Sequence, residues 1–357
     1  MDFTALLQKI NTHWNQQLPF VLYCNPNQTK VNGLLQHNAN YYSAKEFVNK
    51  GFVLAPFDTD QRWFCIPEAF SEKITLEASL SDHQDSFIPT CQEFPSDKEK
   101  HLRYVSQILN TIQNKTVKKV VATRKKEIPL AAFDLSKLIK RIIAQDISAF
   151  RYLWFHPSTG IWCGVSPEVL LRSDKAHFST MALAGTQRVT QNTSPTWGPK
   201  ETLEQQLVTQ AITTNLKKIT TALQVSSPMT QKAGSLYHIK TQISGVFDHK
   251  QTTLSQIVSA LHPTPAVCGS PKDTAFAIIQ KLEGYDREFY TGFLGPIDPQ
   301  SNTSQLYVNL RCMKIDPQMA TLYVGGGITL DSTPELEWQE TKNKMTTMLS
   351  VLAPMLP

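Results

Sequence analysis

A chain of 357 residues with 41% hydrophobic content has room for one large domain or two ordinary ones, and enough apolar mass to bury a sizeable core. Its 35 basic and 30 acidic side chains are scattered, giving a formal charge of +5 without a run of five like charges or a basic tract interleaved with aromatics, which argues against a nucleic-acid partner. The six cysteines (Cys24, Cys65, Cys91, Cys163, Cys268 and Cys312) lack CxxC spacing and argue against disulfides and structural zinc; with no basic leader and no stretch of eighteen apolar residues, a cytoplasmic protein without a membrane span is expected.

In chain order, "FVLYCNP" at 20, "GFVLAPF" at 51 and "QRWFCIP" at 61 read as strands, the last two joined in a hairpin by "DTD". The polar stretch 79–100 reads as a linker. It ends in Ser96 with Glu99 three residues on, a capping box that predicts a helix to about Asn114. A basic strand "VKKVVATRKKEI" follows, then a helix from about Asp134, then a strand-turn-strand "FRYLWFHPSTGIWCGV" turning at Pro157 to Gly160. Amphipathic patterns at 200–223, 271–283 and 333–352 predict helices, the last two with Pro271 and Pro334 just inside their starts, where a missing N–H costs nothing. Between them lie strands "SLYHIKTQISG", "FYTGFLG", "QLYVNLRCMKI" and "ATLYVGGGITL". Strands in hairpins rather than alternating βαβ units predict an α+β fold, with large, mainly antiparallel sheets and helices packed outside.

The residues suited to chemistry are mostly carboxylates and lysines. Glu337, Glu340 and Lys344 fall at i, i+3 and i+7 on one helix face, and spacing alone reads Glu340 and Lys344 as an ordinary ion pair. The preceding strand carries Gly325, Gly326 and Gly327, whose bare backbone suits the close approach of an anion. Glu201 and Glu204 stand near the start of another helix, where carboxylates also offset the dipole. Carboxylates from two helices would suit a hard cation such as Mg²⁺ if they met, which periodicity does not show.

The ordered series "KVVATR" (119–124), "SPEVLL" (166–171), "LAGTQR" (183–188), "KETLEQQLV" (200–208), "HPTPAVCG" (262–269), "NLRC" (309–312), "GGGI" (325–328) and "ELEWQETKNK" (335–344) resembles the chorismate-utilising enzymes. That group includes isochorismate, salicylate and anthranilate synthases. The resemblance covers about residue 97 to the end. It implies two stacked antiparallel sheets ringed by helices, a catalytic core over 96–357, and a variable N-terminal portion over 1–95 belonging to the same α+β domain.

By this resemblance Glu168 is the general acid that protonates the departing C4 hydroxyl of chorismate, and Lys119 is the base that activates water for attack at C2. Burial would push both toward their working protonation states. Glu204 and Glu337 correspond to the Mg²⁺ ligands, with Glu340 a third carboxylate acting directly or through water. Tyr290, Arg311 and the glycines at 325–327 stand where the family binds the enolpyruvyl carboxylate, Arg311 as a planar fork. Gly185 and Thr186 line the pocket, Lys344 meets a carboxylate of the site, and His262 reads as a helix-end residue.

Lysine at 119 favours water over ammonia as nucleophile, and Ala184 departs from the aminodeoxychorismate synthases, which tend to carry lysine there. Ala266 departs from the salicylate synthases, which tend to carry threonine. An isochorismate synthase of menaquinone or siderophore biosynthesis is therefore expected, working as a monomer on chorismate with Mg²⁺ and no amidotransferase subunit. The alternatives are a salicylate synthase and a silent homologue acting as a binding module. Gln205, where many relatives carry histidine, puts the hydrogen bonding behind Glu204 in question.

Overall fold

The computed structural model describes residues 2–77, 93–188, 195–233, 236–248 and 250–357. Among these, the strands form two antiparallel sheets. The first runs from edge to edge through β15 (Gly269–Ser270), β7 (Lys119–Pro129), β19 (Met319–Ile328), β18 (Cys312–Ile315), β9 (Gly160–Ser166), β8 (Phe150–His156), β1 (Phe20–Cys24), β2 (Lys30–Gln36) and β6 (Ser71–Glu77). The second runs through β12 (Ala222–Val225), β14 (Leu236–Val246), β11 (His177–Arg188), β10 (Val169–Asp174), β17 (Thr303–Val308), β16 (Phe293–Asp298), β4 (Gly51–Ala55), β5 (Phe64–Pro67) and β3 (Tyr42–Ser43), with β13 (Met229–Ala233) also on β14. Strands before residue 78 thus lie in both sheets.

The sheets bury an aromatic layer between them, in which Phe150 of the first stacks on Tyr307 of the second at 4.0 Å between centroids, with Trp154, Trp162 and Phe52 close by. Aromatic pairs supply area and fixed geometry at once. Outside the first sheet, α1 (Phe3–Asn15), α3 (Leu135–Ile143) and α7 (Pro334–Leu352) share one apolar cluster. Outside the second, α4 (Pro199–Leu216) and α5 (Leu254–Leu261) share another, and α2 (Pro95–Gln113) and α6 (Lys272–Leu282) pack beside β7.

Several boundaries differ from the sequence expectations. The helix after the polar stretch starts at Pro95, capped by Phe94 without a side-chain hydrogen bond, so Ser96 and Glu99 lie inside it and form no capping box. Proline at the first helical position sets the start there. Positions 79–92 of the expected linker, Cys91 included, lie outside the described residues. The helix expected over 200–223 ends at Leu216, and the chain turns into β12. Pro271 caps its helix from outside, whereas Pro334 does occupy the first helical position. Helices α1 and α5 and strands β2, β3, β6, β10, β11, β12, β13 and β15 are additions to the sequence reading.

The largest departure is "QLYVNLRCMKI", which is two strands in different sheets. β17 ends at Val308 in the second sheet and β18 starts at Cys312 in the first. Asn309 to Arg311 bridge them, and Arg311 takes φ +45°, a conformation outside the strand region. A second bridge, Pro167 and Glu168, carries the chain from β9 in the first sheet to β10 in the second. The two bridges are tied side by side: Val165 N–H donates to Arg311 O (3.0 Å), Val308 N–H to Glu168 O (3.0 Å) and Ser166 Oγ to Val308 O (2.5 Å).

Candidate active site

The paired bridges bring Glu168 and Arg311 to the same cavity, lined also by Leu183 to Thr186 of β11, Glu204 of α4, His238 of β14, Ala266, Tyr290, Gly325 to Gly327 of β19 and Lys344 of α7. Lys119, Glu337 and Glu340 reach the glycine strand just beyond this lining. All fourteen residues expected at the site are therefore gathered in one region.

The glycines make that convergence possible. Gly325, Gly326 and Gly327 pair with Thr123, Ala122 and Val121 of β7, while on the other side β18 has ended at Cys312, opposite Tyr323. One edge of the glycine run is thus left open beside Arg311. A Cβ at Gly327 would fall 2.2 Å from Glu204 Oε1 and 2.7 Å from Lys119 Cε, and one at Gly326 would fall 2.8 Å from Glu337 Oε2 and 3.4 Å from Glu340 Oε1. At Gly325 it would meet Ala122 O and Thr123 Cγ2, each at 2.8 Å. A side chain at Gly326 or Gly327 would displace the acidic groups. Gly185 has a different role: at φ +73° it carries a bulge in β11 that turns the strand toward α4.

Electrostatics separates the carboxylates. Burial pushes Glu168 up to about 8, against the opposing pull of Lys119 and Lys344, so it is mainly protonated at neutral pH. Arg172, its nearest sequence candidate for an ion pair, turns instead to the Tyr307 hydroxyl at 3.5 Å. Lys119 is fully buried with Nζ 2.9 Å from Glu204 Oε1. Burial and the adjacent Glu340 raise Glu337 to about 7 although Lys200 Nζ sits 2.6 Å from its Oε1. Burial works against Glu340 as well, but Lys344, at 2.7 Å, and Lys200 hold it below its ordinary value. Lys344 also donates to Gly325 O at 2.8 Å, which binds α7 to the glycine strand.

Among the described residues Arg311 has no carboxylate at ion-pair distance. Its guanidinium meets His238 Nε2 at 3.5 Å, while His238 Nδ1 lies 3.0 Å from Gly185 O and 3.3 Å from Thr186 Oγ1. Burial and Arg311 drop His238 to about 3, so it stays neutral. The carbonyl requires Nδ1 to carry the proton, leaving Nε2 as the acceptor facing Arg311. A guanidinium held by a neutral acceptor keeps its charge available for an anion.

A profile described as "Chorismate binding enzyme" matches residues 59–353. The chain belongs to this family. Its sequence is 35% identical over 294 residues to the isochorismate synthase EntC of Escherichia coli strain K12, covering 80% of this chain and 73% of that one. Among solved structures, the menaquinone-specific isochorismate synthase MenF of Escherichia coli aligns with TM-score 0.77 at 22% identity, over 94% of this chain and 89% of that one. Anthranilate synthase component I of Streptococcus pneumoniae aligns with TM-score 0.66 at 18% identity, over 92% of each chain. These two show the same fold, the two stacked antiparallel sheets with outer helices expected from the sequence.

Family membership raises the question of a metal. The donor set suits a hard cation: Glu204, Glu337 and Glu340 come from two helices onto bare glycine backbone, and among the described residues the buried Glu337 Oε2 has no hydrogen-bond donor. Among the described residues, however, no three acidic, histidine or cysteine side chains are drawn into a ready cage. Each carboxylate holds a lysine instead, Glu204 with Lys119, Glu337 with Lys200 and Glu340 with Lys344.

His238, Lys200 and Leu310 are among the neighbours of the site that fall outside the functional set read from the sequence. His238 carried a signal, a histidine within an otherwise alternating strand. Lys200 sits just after the proline that opens α4, a place where lysine is electrostatically disfavoured. Leu310 shows no signal, since only the break in the expected strand turns it into the pocket. Glu201 accepts from Gly198 N–H at 3.1 Å and is a helix cap. Gln205 donates to Thr241 at 2.6 Å and Thr209 at 2.8 Å, fastening α4 to β14 rather than supporting Glu204. His262 ends α5, with Nε2 3.3 Å from Phe57 O.

Proposed function

We propose that this enzyme adds water to C2 of chorismate and releases the C4 hydroxyl, with Lys119 as base and Glu168 as acid. The chain is an isochorismate synthase, as are relatives that match most of its length. The observation that carries the mechanism is that Glu168, buried and mainly protonated at neutral pH, lines the cavity, while the fully buried Lys119 reaches the glycine strand just beyond that lining. An acid that donates to a leaving hydroxyl must hold its proton at working pH, and burial supplies that.

Arg311, kept free of carboxylates by its histidine partner, binds the enolpyruvyl carboxylate beside the open edge of Gly325 to Gly327, with Tyr290 packed against Tyr323 at 5.4 Å as the wall. Glu204 and Glu337, with Glu340 beside them, would hold Mg²⁺, which when bound would supply positive charge for the ring carboxylate of chorismate. Lys119 takes the proton of the attacking water while Glu168 gives one to the departing oxygen, so the proton count balances. Ala266 leaves the pocket wall smooth, and isochorismate departs before pyruvate is eliminated. The enzyme works as a cytoplasmic monomer without an amidotransferase subunit, in menaquinone or siderophore biosynthesis.

Purified protein incubated with chorismate and Mg²⁺, without glutamine or ammonia, yields isochorismate on chromatography. Anthranilate as product, or no turnover with metal present, overturns this reading.

A further inference from the structure

We propose that the Lys200 ammonium is an internal competitor for the cation: it holds Glu337 while the metal is away and must leave that carboxylate for the metal to bind. The inference rests on the reading of Glu204, Glu337 and Glu340 as the metal's ligands and adds a residue that regulates them.

The first observation is the contact itself. Lys200 Nζ lies 2.6 Å from Glu337 Oε1, while Oε2 of the same carboxylate is buried with no hydrogen-bond donor among the described residues. One ammonium point charge satisfies half of a carboxylate that a dication would engage more fully. A second concerns position. Lys200 follows Pro199 at the start of α4, where the helix dipole repels a cation, so nothing in the helix itself favours lysine there. Glu204, one turn on, does not hold it, being committed to Lys119 at 2.9 Å.

The third is access. The Lys200 side chain is 22% exposed and Glu337 only 1%, so the lysine reaches inward from the rim and has a way back to solvent. Lys119, at 0% exposure, has none. Charge then decides the order of events. Each of the three carboxylates already faces a lysine, so a dication added on top brings surplus positive charge, and departure of Lys200 removes part of it. An ammonium and a dication on one buried carboxylate repel each other with little screening by water, which favours departure of the ammonium.

The test is calorimetric titration of Mg²⁺ into the full-length protein at pH 8, comparing wild type, Lys200→Met and Glu337→Gln. Lys200→Met is expected to bind Mg²⁺ roughly tenfold more tightly or better, and Glu337→Gln to bind much more weakly. In the wild type, acetic anhydride labelling of Lys200, read by peptide mass spectrometry, is expected to rise several-fold on saturation with Mg²⁺ while Lys119 stays protected. Unchanged or weaker affinity in a folded Lys200→Met protein overturns the competition and leaves the metal reading standing. Should that variant not fold, wild-type Lys200 labelling that ignores Mg²⁺ overturns it equally. Absence of Mg²⁺ binding in every protein, the wild type included, overturns the metal reading and this proposal together.

Discussion

Two buried ionic clusters meet at β7, and they are built on opposite principles. In the first, Arg287 Nε and Nη2 each lie 2.6 Å from an oxygen of Glu283, and the guanidinium also donates to Val121 O (2.8 Å) and Val267 O (2.9 Å), while the Tyr104 hydroxyl donates to Glu283 Oε2 at 3.1 Å. Both oxygens and all three nitrogens are used. In the second, the candidate active site, Glu337 Oε2 has no hydrogen-bond donor and Arg311 no carboxylate at ion-pair distance among the described residues, and burial keeps Glu168 mainly protonated at neutral pH. A saturated polar network fixes a scaffold, whereas an unsaturated one keeps its binding capacity for a ligand. The two are coupled, because Val121 and Val267, held by Arg287, are also walls of the substrate cavity.

The largest expected effect breaks the scaffold side. Arg287→Met leaves Glu283 buried without its cation and is expected to cost about 3–5 kcal/mol in urea unfolding, as removal of one partner of a buried pair does. Little loss of stability would mean that the network is not the scaffold described.

The site side is read in chemistry. Lys119→Ala and Glu168→Gln are each expected to lower kcat about 10²-fold or more. Steady-state assay at saturating chorismate checks this, and near-normal turnover in either variant removes that residue from its role.

The Glu168 carboxyl further ties rate to pH. With Glu168 as the proposed acid, kcat is expected to fall roughly tenfold per unit as pH rises above about 8. The stability sign follows the same shift. A carboxyl raised in the folded state stabilises fully below its unfolded value and loses that contribution as pH rises through about 8. Glu168→Gln is therefore expected to gain stability relative to wild type at alkaline pH, measurable by paired melts at pH 6 and 9. A pH-independent difference between the two would contradict the assigned protonation state.

The smallest effect sharpens specificity. Ala266→Thr adds a methyl and a hydroxyl to the pocket wall and is expected to raise a salicylate fraction that is near zero in the wild type, followed by salicylate fluorescence, at an overpacking cost of about 1–3 kcal/mol. Substantial salicylate from the unmodified chain would place it with the salicylate synthases instead.

The sequence by itself determined the element types and the chemical inventory: hairpin strands, the amphipathic helices α6 and α7, the triglycine, and carboxylates and lysines at ordered spacings. Those features are local, since periodicity, turn residues and proline positions act within a few residues of themselves. Tertiary structure decided where the chain leaves one sheet for the other. "QLYVNLRCMKI" has continuous strand character, and only the competition of two sheets for its halves breaks it at Asn309 to Arg311 and aims Arg311 into the cavity. Tertiary structure likewise chose the ion-pair partners: Lys344 keeps its helical neighbour Glu340, but Lys119 finds Glu204 and Lys200 finds Glu337 across long stretches of chain. Such pairings follow from which side chains are desolvated together, and that is set by packing of the whole molecule rather than by spacing along the sequence.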